Sequence, residues 1–399
     1  EIMLTSLAYI FLLGLLMSVI FTKFRLPSLI GLIITGMLLS PYALNALSSS
    51  LLAISPDLRQ LALVIILTRA GLSLDISDLK KVGRPAILMC FVPACFEIIG
   101  VVLLAPPLLH ITVLEAAIMG SVIAAVSPAV VVPRMLKLME QDYGRKHSIP
   151  QLILAGASVD DVFVIVLFTA FTSLSQGGHI SYLSFLQIPI SIILGVLVGV
   201  LCGRILITFF KKVHMRDSIK ILIILSVSFL LIELQNQLEG IIPISGLLGI
   251  MGIGITINQK YLILAKRLSS KYNKLWVASE ILLFVLVGAS VDLSYAFGVG
   301  LFAILLVVGA LLFRMVGVAM CLVKTELTKK ERLFTMLAYT PKATVQAAIG
   351  GVPLAMGLAC GQQVLSVAVV SILITAPFGA IAIDQSYKKL LTKPNHSES

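Results

Sequence analysis

Apolar runs of about 20 residues follow one another along the whole chain, each long enough to cross a bilayer's hydrocarbon core as a helix. In lipid every backbone polar group must be satisfied within the protein, which restricts unbroken runs of this kind to helices. Thirteen such segments can be drawn, at 3–21, 26–40, 57–73, 85–105, 113–139, 148–174, 186–210, 218–235, 242–257, 275–291, 295–323, 330–355 and 361–383. They predict an all-α polytopic membrane protein with thirteen transmembrane helices. With 59% hydrophobic and 12% charged residues, no stretch is left that is long and polar enough to form a separate soluble domain. The tail after Lys388 is expected to be disordered.

The basic residues test the count. Lys and Arg cluster after segments 1, 3, 5, 7, 9, 11 and 13, and the loops after even-numbered segments hold almost none, with Arg59 the exception. Positive loops stay on the cytoplasmic side, so the N-terminus is expected outside and the C-terminus in the cytoplasm. Basic residues follow segment 1 and none precede it, as suits a retained helix rather than a signal peptide. The net charge of +11 therefore reflects loops beside anionic lipid headgroups, not a nucleic-acid surface. Arg69 and Arg204 are expected to snorkel to the inner face, and 259–274 to include a basic amphipathic helix along it. The five cysteines (Cys90, Cys95, Cys202, Cys321, Cys360) fall in apolar segments without metal-site spacing, and read as reduced packing residues. His110 and His179 fall in outer loops, His147 and His214 in inner ones, and His396 in the tail. No phosphate loop, HExxH or GxSxG pattern points to enzymatic chemistry.

An internal repeat locates the working part. Segment 3 ends GLSLDIS (71–77) and segment 10 ends GASVDLS (288–294). Glu97 follows Asp75 by the same interval as Arg314 follows Asp292. The next segment in each half carries helix-breaking residues: AAVSPAVVVPRM around Val126, Ser127, Pro128 and Pro133, and LAYTPKATVQAAIGG around Thr340 and Pro341. Proline removes a donor and clashes with the preceding turn, so both helices should break inside the membrane. The repeated motifs lie seven segments apart, an odd number, so the halves run in opposite directions. An inverted repeat with two broken helices is a signature of secondary transporters.

Segment 6 carries adjacent acids, Asp160 and Asp161, near mid-membrane, where each costs roughly 2.5–3.5 kcal/mol on insertion scales. Desolvation and mutual repulsion favour protonation of such carboxylates, and the pair titrates as a unit. Ionised, the pair offers hard oxygen ligands suited to a small hard cation, so proton and cation compete for the same oxygens. Lys342 stands at the second break, and its simplest partner is Asp160. It either joins the proton count or acts as a fixed counter-charge. Glu97 and Arg314 are expected to form a structural ion pair. Glu280 either lines an access funnel or sits at the surface.

TRAGLSLD (68–75), AAVSPAVVVPRML (124–136), GASVDDVFVI (156–165) and TPKATVQAAIG (340–350) resemble the cation/proton antiporter superfamily, nearest to its NHA branch, solute carrier family 9 subfamily B. The likeness runs over nearly the whole chain. It implies a sodium/proton antiporter fold, a homodimer, and an ion-carrying core moving against a scaffold. The core would comprise 85–174 and 295–383, and the scaffold 1–84 and 186–291. It also implies exchange of Na+ or Li+ for H+, with Asp161 the principal ion ligand and Asp160 beside it. No cofactor is implied beyond the transported ions, and a bacterial plasma membrane is the expected location. A sodium-coupled organic anion symporter of the same fold is the alternative. From another class, a cation channel or sensor subunit stays open.

Overall fold

The computed structural model describes residues 2–177 and 182–394; His179 and His396 lie outside them. The chain begins with α1 (Met3–Lys23) and α2 (Ser28–Leu39), then short α3 (Ser49–Ala53) and α4 (Ser55–Ser73). Next come α5 (Ile76–Val82), α6 (Arg84–Met89) and α7 (Val92–Leu109). The sequence predicts one helix over 85–105, but α6 and α7 are separated at Cys90 and Phe91. Pro93, at the start of α7, lacks the N–H that would have bonded the Met89 carbonyl.

Segment 5 is divided into α8 (Val113–Ile123) and α9 (Pro128–Glu140), and α10 (Ile149–Ser175) carries the doubled aspartate. Then come α11 (Tyr182–Lys212), α12 (Asp217–Gln237), α13 (Gly246–Lys260) and α14 (Leu262–Ala289). The basic stretch 259–274 is not a separate surface helix. Most of it forms the first half of α14, and Leu264, Ala265, Leu268 and Tyr272 bury one of its faces. After α15 (Leu293–Cys321), segment 12 is divided into α16 (Lys329–Ala338), α17 (Thr344–Ile349) and α18 (Val352–Ala355). The last helix, α19 (Gly361–Leu390), runs past the expected end of segment 13. Leu391 beyond it is buried, so order continues past Lys388.

Eight spans among the described residues are long and apolar enough to cross a membrane. They are α1, α6–α7, α8–α9, α10, α11, α14, α15 and α19. The α8–α9 span is 94% buried, against 17% for α1 and 33% for α11 and α15. The broken helix therefore lies inside the bundle, and α1, α11 and α15 present apolar faces outward, as lipid-facing helices do.

Two local devices position the halves. Both broken segments open with the T-x-x-E capping box, which satisfies helix N-terminal donors reciprocally. Thr112 with Glu115 starts α8, and Thr328 with Glu331 starts α16. Elsewhere α2 crosses α14 at glycines. A Cβ on Gly36 would strike the Val285 carbonyl, and one on Gly288 would strike the Ile33 carbonyl. Backbone cannot step aside as a side chain can. Gly288→Ala is expected to lower stability by at least about 1–3 kcal/mol, the usual overpacking cost. The unfolding temperature in detergent checks this, with Gly298→Ala, where a Cβ meets open space, as the control.

Candidate functional site

Prolines mark both breaks, and side chains from neighbouring helices or from the break itself take up the backbone groups they release. Pro128 is the first residue of α9, a place where its missing N–H costs little. The carbonyl it would have bonded in a continuous helix, Ala124, accepts from the Arg314 guanidinium instead. Pro341 likewise leaves Leu337, whose carbonyl accepts from the Thr340 hydroxyl at 2.7 Å. The Met89 carbonyl, released by Pro93, accepts from the Tyr339 hydroxyl at 2.8 Å. A bilayer core offers no water to such groups, so bonds of this kind stabilise the breaks.

The two breaks touch. Ser127 N–H donates to the Pro341 carbonyl at 2.7 Å. The Ser127 and Thr344 hydroxyls lie 3.0 Å apart, and Thr344 N–H donates to the Ser127 hydroxyl at 3.3 Å. Gln346 reaches back to the Ala125 carbonyl at 3.0 Å. Gly379 on α19 leaves room for the Pro341 ring, which a Cβ there would strike.

Five ionisable side chains gather here. Glu97, Asp160, Arg314 and Lys342 are fully buried, and Asp161 is 1% exposed. Arg314 donates to Glu97 at 2.9 Å, to Asp160 at 3.0 Å and to the Tyr339 carbonyl at 2.6 Å, as well as to Ala124. Asp160 also accepts from Val126 N–H at 2.9 Å. Lys342 Nζ lies 2.6 Å from Glu97 Oε1, an ion pair between two fully buried groups.

The expected Glu97–Arg314 pair is present, but Lys342 does not pair with Asp160. It meets Glu97, and Arg314 occupies Asp160. Geometry gives the reason. A planar guanidinium with five donors can serve two carboxylates and two carbonyls together, whereas an ammonium acts as a point charge. Asp161 keeps both carboxylate oxygens, and Asp160 keeps Oδ1, without a hydrogen-bond partner among the described residues.

Of the other charges, Arg69 differs from expectation, while Arg204 and Glu280 do not. Arg69 is 8% exposed rather than snorkelling, because α4 packs between α13 and α14. Arg204 is exposed on α11. Glu280 lines a cavity. Arg59, the exception in the loop-charge pattern, donates to the Ala347 carbonyl of α17 at 2.6 Å. That exception was the one visible sign of its role. Tyr339, Gln346 and Thr375, whose hydroxyl accepts from Lys342 N–H at 2.9 Å, carried no sequence signal beyond closeness to the break or to α19.

Two broken helices meeting inside a bundle, with buried ionisable groups at the junction, are the arrangement of a secondary transporter. The chain matches the family "Sodium/hydrogen exchanger, transmembrane" over residues 7–385, and it belongs to that family. It is 32% identical to Sodium/hydrogen exchanger 9B2 of Homo sapiens over 386 residues, covering 93% of this chain and 71% of that protein. It is 31% identical to Sodium/hydrogen exchanger 9B1 of Homo sapiens over 356 residues, covering 85% and 67%. The fold is that of the sodium proton antiporter MjNhaP1 from Methanocaldococcus jannaschii at pH 8. That match has a TM-score of 0.81 and 18% identity, covering 96% of this chain and 97% of that one. The resemblance to the cation/proton antiporter superfamily is borne out.

Proposed function

We propose that this integral membrane protein exchanges one Na+ or Li+ for one proton at Asp161, with Asp160 beside it. The observation that carries the reading is the charge balance of the buried cluster. Three carboxylates (Glu97, Asp160, Asp161) face two cationic groups (Arg314, Lys342), all at most 1% exposed. An uncompensated charge is costly away from water. The cluster lacks one positive charge, and the carboxylate without partners is Asp161. A proton or a monovalent cation supplies that charge; a divalent ion would overshoot. Either cargo leaves the site neutral, and each excludes the other.

The same balance supports a one-for-one stoichiometry. Lys342 is held by Glu97 and serves as a fixed counter-charge, so one proton trades for one cation and the cycle moves no net charge. No cofactor takes part. The wider organisation belongs to the same proposal: thirteen crossings, N-terminus outside and C-terminus cytoplasmic, in a homodimer. Residues 85–174 and 295–383 would form an ion-carrying core moving against a scaffold of 1–84 and 186–291, the halves related as an inverted repeat. Three pairs support the repeat: Asp75 with Asp292, Glu97 with Arg314, and Ser127 with Thr344. The last two pairs meet across the site at one and the same separation of 217 residues. In the first pair each aspartate accepts from both the amide and the hydroxyl of the serine two residues on.

Liposomes holding a pH-sensitive dye test the exchange. Na+ or Li+ added outside should drive proton movement at a rate indifferent to clamped membrane potential. A rate that follows the potential contradicts one-for-one exchange, and cation flux without proton countermovement makes the protein a channel. Asp160→Asn should raise the half-saturating cation concentration while leaving measurable exchange. Its side chain can still accept from Val126, but the ion pair with Arg314 is lost. An unchanged cation affinity and proton coupling would remove Asp160 from the site.

A further inference from the structure

A second charged site lies between α2, α9 and α14. A cavity of about 160 Å³ opens there, lined by Pro27, Ser28 and Leu29 before and in α2, by Ala129, Val130, Pro133 and Arg134 of α9, and by Trp276 and Glu280 of α14. Ala129, one of its lining residues, is three residues past Val126, whose N–H donates to Asp160. At ~30 Å³ per water the cavity has room for a cation with part of its hydration shell. Two charged residues line it, Glu280 and Arg134.

Arg134 shares the cavity with Glu280 and its charge is felt there, but its donors are committed elsewhere. Its Nε and NH2 donate to Asp384 of α19 at 3.2 and 3.4 Å, and its NH1 donates to the Val130 carbonyl at 3.1 Å. Glu280 makes no hydrogen bond or ion pair with a described residue. The remaining charges in electrostatic range are Arg69 and, through it, Glu140. Arg69 is 8% exposed, and its Nε has no hydrogen-bond partner among the described residues. Glu140 and Asp384 are exposed and meet water, which leaves Glu280 as the carboxylate of this group that lines the cavity.

We propose that Glu280 is a cation-collecting site on the approach to Asp161, kept available because Asp384 holds Arg134 off it. The inference rests on the exchange reading for its purpose but not for its test. A monovalent cation pausing at Glu280 pairs with its carboxylate in a cavity whose lining reaches Ala129, beside the break that ends at Pro128. Released from Asp384, Arg134 neutralises Glu280 and closes the approach.

The protein supplies its own reporter. Trp276 is the single tryptophan, one turn before Glu280 and in the same cavity. Thallium(I), a heavy monovalent cation that quenches indole emission, is the probe, titrated into purified full-length protein. Wild type and Asp161→Asn should be quenched alike. Glu280→Gln should raise the half-quenching concentration roughly threefold, the effect of one unit charge a few ångströms from a hydrated cation. Asp384→Asn should do the same by freeing Arg134, and adding Arg134→Ala to Asp384→Asn should restore the wild-type value. Equal quenching of wild type and Glu280→Gln overturns the proposal, as does quenching lost in Asp161→Asn but indifferent to Glu280→Gln. In liposomes, Glu280→Gln should raise the half-saturating cation concentration from the α9 side more than from the other. Equal shifts from both sides also overturn it. If wild type shows no exchange while quenching still depends on Glu280, the exchange reading fails and this site stands.

Discussion

Asp161→Asn is expected to reduce cation-driven proton movement to the level of protein-free liposomes without weakening the fold. The two halves of that result follow from one fact. Asp161 is buried with both carboxylate oxygens unpartnered among the described residues, so on the proposed reading its charge serves the cargo and not the scaffold of bonds around the breaks. Asparagine carries no titratable charge and offers a cation one neutral oxygen in place of a carboxylate. The remaining cluster then balances without cargo, two carboxylates against two cationic groups. Unfolding temperature should be equal to or above that of wild type. The stabilisation by added Na+ should vanish; in wild type it should reach about 2.7 kcal/mol at 100 times the dissociation constant. Both readings come from one purified sample in a thermal titration with and without salt. Retained exchange in this variant would move the cargo site elsewhere, and a collapse of the unfolding temperature would make Asp161 a structural residue.

Arg314→Met should have the opposite signature, a failure of stability before any question of transport. Methionine keeps much of the side-chain length and removes every donor. Asp160 loses its ion pair, and breaking a buried pair costs about 3–5 kcal/mol. The Ala124 and Tyr339 carbonyls lose their partners as well, at about 1–3 kcal/mol each where nothing replaces them. That sum rivals the whole stability of many proteins, so the variant should accumulate poorly and unfold well below wild type. Arg314→Lys should fall between, because one ammonium cannot reach four acceptors in different directions. Glu97→Gln should lose less than Arg314→Met, since its amide oxygen still accepts from Arg314. Unfolding temperatures of the three variants in one detergent rank them. An Arg314→Met protein as stable as wild type would mean that the breaks hold without this residue.

The sequence was most legible where the membrane leaves few choices. Apolar length marked the helices. The prolines marked both breaks, because a missing N–H has the same consequence in any setting. The doubled aspartate stood out because charge inside an apolar run has few bland explanations. Glu97 and Arg314 were matched by their equal spacing from a repeated motif. What failed were the questions of direction. Lys342 and Arg314 can each neutralise either carboxylate, and spacing does not say which way a side chain leaves its helix. Arg69 looked like a snorkelling residue because its position in α4 carries no mark of the neighbours that enclose it. The break before Pro93 was passed over because the apolar run continues through it, although that proline has the same effect as Pro128 and Pro341. Tyr339 could be seen as a residue beside a break but not as the donor that covers another break's free carbonyl.

The direct bonds between the two interrupted helices have a consequence for solvent exchange. Amides in non-helical stretches ordinarily trade hydrogen for deuterium quickly. Here those of Val126, Ser127, Lys342 and Thr344 are each donated to a partner deep inside the bundle. These irregular stretches should label as slowly as the best-protected helices and speed up together, because each closes the other. The crossing then behaves as a single rivet rather than as two loose ends that happen to lie close.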